Sequence, residues 1–175
     1  DVVEVDLSAY LAELKDINVT VDATAFKPAD GTPAAYAEPV VWSWMTGDYT
    51  APTLSGVVPD DGDVVGDNTI DLILTFEDAS PILAGAGAIT VYKADGNVWD
   101  LKTLNFATGG NAVLSGGVLT VSGIRQLEDA TEYQVSIDAG VVTDDGKRAD
   151  EVKNPFAGAD RADWEFSSED FTAPT

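Results

Sequence analysis

Apolar and polar residues alternate most regularly between Thr69 and Phe76. Ile70, Leu72, Leu74 and Phe76 occupy every second position of this segment. Because successive side chains of a strand point to opposite faces, the pattern is typical of a strand with one buried face. The sequence therefore predicts a strand over residues 69–76 whose apolar side chains face a core.

Shorter segments of the same kind fill the following part of the chain and are separated by turn residues such as the Asp95-Gly96 pair. They comprise residues 54–58, 88–93, 98–104, 112–114 and 118–121, a segment with Tyr133, Val135 and Ile137 facing inward, and a last one with Trp164 and Phe166. A series of about seven or eight short strands without a long helical pattern predicts an all-β fold, specifically an immunoglobulin-like β-sandwich.

Tyr133 adds a second argument for a sandwich. It stands at the start of a predicted strand, shortly after Leu127. In the tyrosine corner of immunoglobulin-like sandwiches, a tyrosine in this position bonds through its hydroxyl to backbone a few residues upstream. We therefore expect the Tyr133 hydroxyl to contact the backbone close to Leu127.

A hexapeptide occurs twice. Residues 48–53 read Asp-Tyr-Thr-Ala-Pro-Thr, and residues 170–175 read Asp-Phe-Thr-Ala-Pro-Thr, 122 positions later. Recurrence at a fixed distance is typical of tandem modules. Since proline fixes its own φ and keeps the preceding residue extended, the hexapeptide also predicts a short, stiff linker.

Residues 1–47 resemble the end of the module that follows them. Residues 19–23 match residues 135–139 at an offset of 116, and Trp42-Ser43-Trp44 matches Trp164-Glu165-Phe166 at an offset of 122. Asp30-Gly31 corresponds to Asp145-Gly146 after a one-residue slip. The predicted organisation is therefore the C-terminal part of a preceding repeat (1–47), a complete repeat (48–169) and the start of a further linker or repeat (170–175).

The partial repeat raises a question of its own, because three strands within residues 1–46 leave apolar faces and strand edges exposed. One interpretation is that the given sequence is an internal piece and that upstream residues supply the missing strands. The alternative is that another chain supplies them by strand addition, which would make the protein a fibre subunit.

Charge and composition narrow the classes of function. The chain of 175 residues carries 31 acidic and 9 basic residues, a net charge of −22, and contains neither cysteine nor histidine. Such a surface repels nucleic acid and anionic lipid, so neither is an expected partner, and no apolar run predicts insertion into a membrane. Thiolate nucleophiles, thiolate or imidazole zinc ligands and the commonest general base are missing, which disfavours an enzyme.

Oxygen ligands, by contrast, are abundant. In an immunoglobulin-like order of strands, Asp48, Glu77, Asp78, Asp144 and Asp145 would converge at one end of the module, with Glu13 and Asp16 approaching from the preceding repeat. Ca²⁺ takes six to eight oxygens. We therefore predict a Ca²⁺ site there, against the alternative that each Asp caps a turn through its own backbone. At the opposite end, an equivalent site would use Asp170 with the acidic residues Asp60, Asp61, Asp63, Glu128 and Asp129.

These residues together resemble the bacterial immunoglobulin-like repeats of the SWM type, which occur in tandem in S-layer proteins, large surface adhesins and secreted hydrolases. The resemblance rests on four segments in order: the hexapeptide at residues 48–53; Pro59-Asp60-Asp61-Gly62 with residues 68–76; Leu127 with residues 131–135; and Asp145-Gly146 with residues 164–166. This chain is longer than such repeats, with the additional residues at 147–163 and between Asp78 and Ala88. Loops of this kind often carry the specific contacts.

The resemblance implies a non-catalytic stalk, fibre or lattice segment of a secreted or cell-surface protein. Its partners would be neighbouring repeats or subunits, and Ca²⁺ would stiffen the joints. The alternative is a module that binds carbohydrate or another ligand through exposed aromatic residues, for which Tyr49, Tyr92 and Trp99 are the candidates. Trp42, Trp44 and Trp164 are instead expected in the core.

Overall fold

The computed structural model describes residues 4–8, 11–23, 25, 38–146 and 153–172. The chain divides into two compact units, Asp1–Tyr49 and Thr50–Thr175. Among the described residues, no helix has the length and apolar character needed to cross a membrane.

The first unit contains two antiparallel strands, β1 (Asp16–Val21) and β2 (Val40–Met45). Along β1, exposed residues alternate with half-buried ones, as the period of a strand requires. Of the three strands predicted within residues 1–46, the described residues contain these two. The predicted Asp30-Gly31 turn lies outside the described residues.

The second unit is built from strands, as predicted, with one short 3₁₀ turn at Arg161–Asp163. The strands are β3 (Thr53–Val58), β4 (Asp63–Val65), β5 (Leu72–Glu77), β6 (Ile82–Ala84), β7 (Ala88–Lys93), β8 (Val98–Thr103), β9 (Ala112–Ser115), β10 (Val118–Val121), β11 (Glu132–Ile137), β12 (Val142–Asp144) and β13 (Glu165–Ser168).

These strands form two main sheets and one small one. The first has the order β3-β5-β10-β9, the second β4-β13-β11-β7-β8, and β12 pairs with β6 alone. All pairs in these sheets are antiparallel except β4 with β13, which is parallel. Both main sheets contribute to one buried cluster, with Leu72 and Leu74 from the first sheet and Val91, Val135 and Phe166 from the second. The second unit is therefore an all-β sandwich.

The predicted boundaries agree best with the observed ones for two strands that lie next to a glycine turn. Residues 88–93 and 118–121 are strands as predicted, whereas the strand predicted from Thr69 begins at Leu72. Ile70 packs against the core from outside that strand. Strands β4, β6 and β12 were not predicted, because three-residue strands are too short to show a period.

The predicted tyrosine corner is confirmed. Tyr133 is fully buried, and its hydroxyl accepts a hydrogen bond of 2.8 Å from the backbone N–H of Glu128. The ring stacks on Phe166 at 5.4 Å between centroids. Tyr133 therefore joins the loop before β11 to the centre of the core.

The two tryptophans of β2 differ from their predicted core positions. Trp164 is 2% exposed as expected, but Trp42 is 48% exposed and Trp44 is half-buried. The prediction was wrong for Trp42 because it assumed that a second sheet covers β2, while the described part of the first unit contains a single two-stranded sheet.

The strand pair of the first unit nevertheless repeats a pair of the second unit residue by residue. Ile17 lies opposite Trp44 in the pair β1–β2, and Tyr133 lies opposite Phe166 in the pair β11–β13. The offsets between these positions are the 116 and 122 residues read from the sequence. The two strand pairs therefore have the same register.

Hydrogen bonds at the ends of these pairs repeat as well. The backbone N–H of Lys15 donates to Thr46 Oγ1 at 2.9 Å, and that of Thr131 donates to Ser168 Oγ at 3.0 Å. In both places the hydroxyl-bearing residue returns a bond through its own N–H, to the carbonyl of Lys15 at 2.9 Å and to that of Thr131 at 3.0 Å. The same two hydrogen bonds therefore join the ends of the strands in both pairs.

The turn before each pair has the same unusual backbone. Leu14 has a φ of 52° and Ala130 a φ of 46°, the left-handed region that few non-glycine residues adopt. The N–H of each donates to a backbone carbonyl after the second strand, that of Gly47 at 3.3 Å and that of Glu169 at 3.0 Å. A specific and strained conformation therefore occurs at matching positions of the two units.

We expect Tyr133→Phe to lower the free energy of unfolding of the second unit by about 1 kcal/mol, since it removes one buried hydrogen bond and leaves the Glu128 N–H without its acceptor. Chemical denaturation measures this loss. Tyr92→Phe is the matched control, because that residue is only half-buried. Equal losses in the two variants would contradict the tyrosine-corner role.

Stability should also fall at alkaline pH in a way that depends on Tyr133. Burial raises the pKa of the Tyr133 phenol. The hydrogen bond from the Glu128 N–H lowers this pKa, and the Glu128 carboxylate raises it, but burial is the largest contribution. In the unfolded chain the phenol ionises near pH 10, so above that pH the unfolded state holds fewer protons and stability decreases until the folded phenol ionises. Denaturation midpoints between pH 9 and 11 should decline less steeply for Tyr133→Phe than for the parent chain.

Candidate metal centre

Two of the predicted metal ligands, Asp78 and Asp144, lie together in the second unit. Each offers a carboxylate oxygen within 4.8 Å of one from the other. Asp144 is 0% exposed, which is unusual for aspartate. Asp48, the third ligand predicted here, belongs to the first unit.

Asp144 ends the short strand β12 and is held by Asn154. Its Oδ1 accepts the backbone N–H of Asn154 at 2.7 Å, and its Oδ2 accepts the side-chain Nδ2–H of the same residue at 2.7 Å. The Asp144 N–H in turn donates to the Asn154 carbonyl at 3.2 Å. Asn154 therefore fixes the orientation of a fully buried carboxylate.

Asp78 directly follows the core strand β5. Its Oδ1 accepts the backbone N–H of Ser80 at 2.7 Å, a turn in which the side chain replaces a backbone acceptor. This turn leads the chain from β5 towards β6, the strand that pairs with β12. The pairing of β6 with β12 brings the chain segments of Asp78 and Asp144 to the same region of the second unit.

Asp78 and Asp144 place two carboxylates close together. Neighbouring carboxylates repel one another, and a bound cation removes that repulsion. In the described part of the chain the two salt bridges are Lys93–Glu128 and Lys102–Asp100, so neither pairs a basic residue with Asp144. Oxygen-only donors, with no sulfur or imidazole in the whole sequence, suit Ca²⁺ or Mg²⁺ rather than zinc or copper.

Two other ligands predicted at this end, Glu77 and Asp145, are exposed, and no close group of three potential metal ligands among the described residues contains either. In the first unit, Glu13 accepts the backbone N–H of Tyr49 at 3.0 Å, and Asp16 is exposed in β1. Glu77 ends β5 with its side chain exposed, whereas Asp78 lies in the turn that follows the strand.

At the opposite end, no three of the predicted carboxylates form a close group among the described residues. Asp170 is exposed, and its Oδ1 accepts the N–H of Thr172 at 2.9 Å. Asp61 accepts the N–H of Glu165 at 2.9 Å, and Asp129 accepts that of Phe171 at 3.3 Å. Asp63 accepts the N–H of Asp60 at 3.0 Å, and Glu128 pairs with Lys93. These carboxylates cap turns and pair locally, which is the alternative that the sequence analysis left open.

Asn154 is the residue that sequence reasoning missed. It lies in the long 147–163 loop, of which residues 147–152 are outside the described residues. The sequence carries one signal for it, since Asn154 precedes Pro155 and Asn-Pro pairs favour turns. That signal predicts a turn but gives no distance to Asp144.

The candidate sugar-binding face is not formed as predicted. Trp99 is 8% exposed and belongs to the core, with Lys93 at 4.4 Å and Arg125 at 4.1 Å from the ring centroid. Tyr92 is half-buried, and only Tyr49, at 73% exposure, offers an open ring. The prediction for Trp99 was wrong because the residue lies on the inward side of β8, which the short strand pattern did not reveal.

Comparison with known proteins gives distant likenesses. No protein-family model matches the sequence, and no curated protein matches it. Two solved structures are similar in part. One is CopC from Methylosinus trichosporium OB3b, with 13% identity and a TM-score of 0.41 over 71% of this chain and 99% of CopC. The other is the BSP domain of a biofilm-associated protein. The latter has 16% identity and a TM-score of 0.27 over 93% of this chain and 20% of the other. Likenesses at this level carry no inference about function.

We expect Asn154→Ala to destabilise the second unit by about 1.5–3 kcal/mol, because it removes one of the two hydrogen bonds to a buried carboxylate. Asn97→Ala is a matched control: Asn97 makes the same pair of bonds, at 2.9 and 2.8 Å, to the exposed Asp95. Thermal or chemical denaturation should show a much smaller loss for the control. Similar losses would mean that Asn154 does no more than stabilise its own turn.

Proposed function

We propose that this chain is a non-catalytic structural segment of a large secreted or cell-surface protein, built from tandem immunoglobulin-like repeats. The observation that carries the proposal is the repetition of one strand pair, in which β1–β2 and β11–β13 share register, closing hydrogen bonds and a left-handed turn residue. Tandem copies of one unit are typical of spacers, whose length grows with the number of repeats.

The order of strands supports the immunoglobulin-like part of the proposal. When the strands are lettered in chain order as in immunoglobulin domains, the first sheet, β3-β5-β10-β9, has the order ABED. In the second sheet, β13-β11-β7-β8 corresponds to GFCC′, as in variable-type domains. The tyrosine corner at Tyr133 occurs at the start of the strand that corresponds to F.

Ca²⁺ is the proposed ligand of Asp78 and Asp144. Asp78 follows β5 and Asp144 ends β12, so an ion held by both would join these two segments of the second unit. Bound Ca²⁺ supplies charge compensation only, while the protein positions the ligands through Ser80 and Asn154. Extracellular Ca²⁺ modules bind with dissociation constants of about 0.1–1 mM, which suits a location outside the cell.

Neighbouring repeats or subunits are the proposed partners. The net charge of −22 disfavours nucleic acid and anionic lipid as ligands. A carbohydrate-binding module is the weaker alternative, because Trp99 is buried and the remaining candidate with an open ring is Tyr49.

Calcium titration tests the metal centre. At a Ca²⁺ concentration about 100 times its dissociation constant, the free energy of unfolding should rise by about 2.7 kcal/mol. Differential scanning calorimetry, with NaCl at matched ionic strength, separates this effect from general screening of the acidic surface.

Asp78→Asn should abolish most of the Ca²⁺ effect while keeping the Oδ1 acceptor for Ser80. Asp170→Asn, at an exposed position outside the group, is the matched control and should keep the full response. Loss of the response in both variants, or in neither, would contradict a site at Asp78.

A further inference from the structure

The first unit has an apolar face that lacks the cover its counterpart has in the second unit. Leu11 is 46% exposed while the matching Leu127 is 4% exposed, and Trp42 is 48% exposed while the matching Trp164 is 2% exposed. The matches follow from the offsets of 116 and 122 residues and from the shared strand register. Because these equivalent residues have the same type and register, the second unit indicates what kind of cover the first would take.

In the second unit, the cover consists of the strands that precede β11 in the sequence. The backbone N–H of Leu127 donates to the carbonyl of Asn68 at 2.8 Å, and the indole N–H of Trp164 donates to the carbonyl of Pro59 at 2.9 Å. Leu72 and Leu74 of β5 belong to the same buried cluster as these two side chains. A segment that covers Leu11 and Trp42 in the same way therefore needs an apolar strand. It also needs carbonyl groups that accept the backbone N–H of Leu11 and the indole N–H of Trp42.

Strand β1 and its counterpart β11 also differ in the number of strands that pair with them. Strand β11 pairs on one side with β13 and on the other with β7, where Val135 lies opposite Val91 and Ile137 opposite Ile89. Strand β1 pairs with β2, and within the described residues its other edge has no neighbour. A strand edge next to an exposed apolar face favours strand addition.

We propose that the first unit is the last strand pair of an immunoglobulin-like module and binds strands of the type β3–β9, supplied by the same polypeptide. The incoming strand of β7 type would pair antiparallel with β1, opposite Val19 and Val21. The incoming sheet of β3-β5 type would cover Leu11 and Trp42. This inference rests on the proposed tandem-repeat function and names the partner of its open face, and it does not depend on the metal.

An extended chain tests the proposal. Because residue 1 corresponds to residue 117, we would join a copy of residues 48–116 directly ahead of Asp1, keeping the whole original chain. Hydrogen–deuterium exchange, measured by mass spectrometry on peptides covering β1 and β2, should slow by at least about tenfold in the extended chain. Peptides covering β11 and β13 serve as the internal reference and should not change.

The matched control carries Leu72→Asp and Leu74→Asp in the added copy alone, which keeps length and most of the composition but disrupts its apolar strand. It should leave β1 and β2 exchanging as in the original chain. A second extended variant carries Ile17→Tyr and Trp44→Phe in the first unit. These changes place the residue types of Tyr133 and Phe166, which pack against the same strands in the second unit, at the matching positions of the first. If neither extended chain slows exchange in β1, the proposal is wrong.

Two further outcomes would overturn it. The first is that β1 already exchanges as slowly as β11 does in a dilute sample of the original chain. That result would show that the face is covered without added strands. Protection of β1 that increases with the concentration of the original chain would show that a second copy covers the face instead. Since all these measurements are made without Ca²⁺, failure here is separate from failure of the metal centre.

Discussion

The layer of side chains between the two main sheets is the interaction on which the rest of the second unit depends. Leu74, Val91, Tyr133 and Phe166 are almost completely buried there. Removing apolar area from water is the dominant favourable term in folding, and it requires both sheets at once. The short strands, the loop before β11 and the turn at Asp78 are ordered because they connect strands that this layer holds in place.

This dependence explains which parts of the fold the sequence could predict. Alternation, as at Leu72 and Leu74, marks a strand with one buried face, while the turns at residues 94–97 and 115–117 mark the end of β7 and the start of β10. Burial of an individual side chain was harder to predict. Trp42 and Trp164 occupy matching positions, yet their exposure differs because burial depends on distant strands that a local pattern does not contain.

The candidate metal centre shows the same limit. Asp78 and Asp144 could be predicted to meet because an immunoglobulin-like order brings the ends of their segments together. The choice among neighbours, Asp78 rather than Glu77, depends on where β5 ends and the turn after it begins. Asn154 could not be predicted, since it approaches Asp144 from a long loop whose path no repeat or period determines.

The left-handed residues Leu14 and Ala130 have a consequence for engineering. A non-glycine residue in this conformation costs about 1–2 kcal/mol, which glycine does not pay in the folded state. Each unit thus contains one backbone position where glycine would fit the local conformation without this strain. Introducing glycine at one of them and not at the other would relieve the strain in one unit and leave the other unchanged.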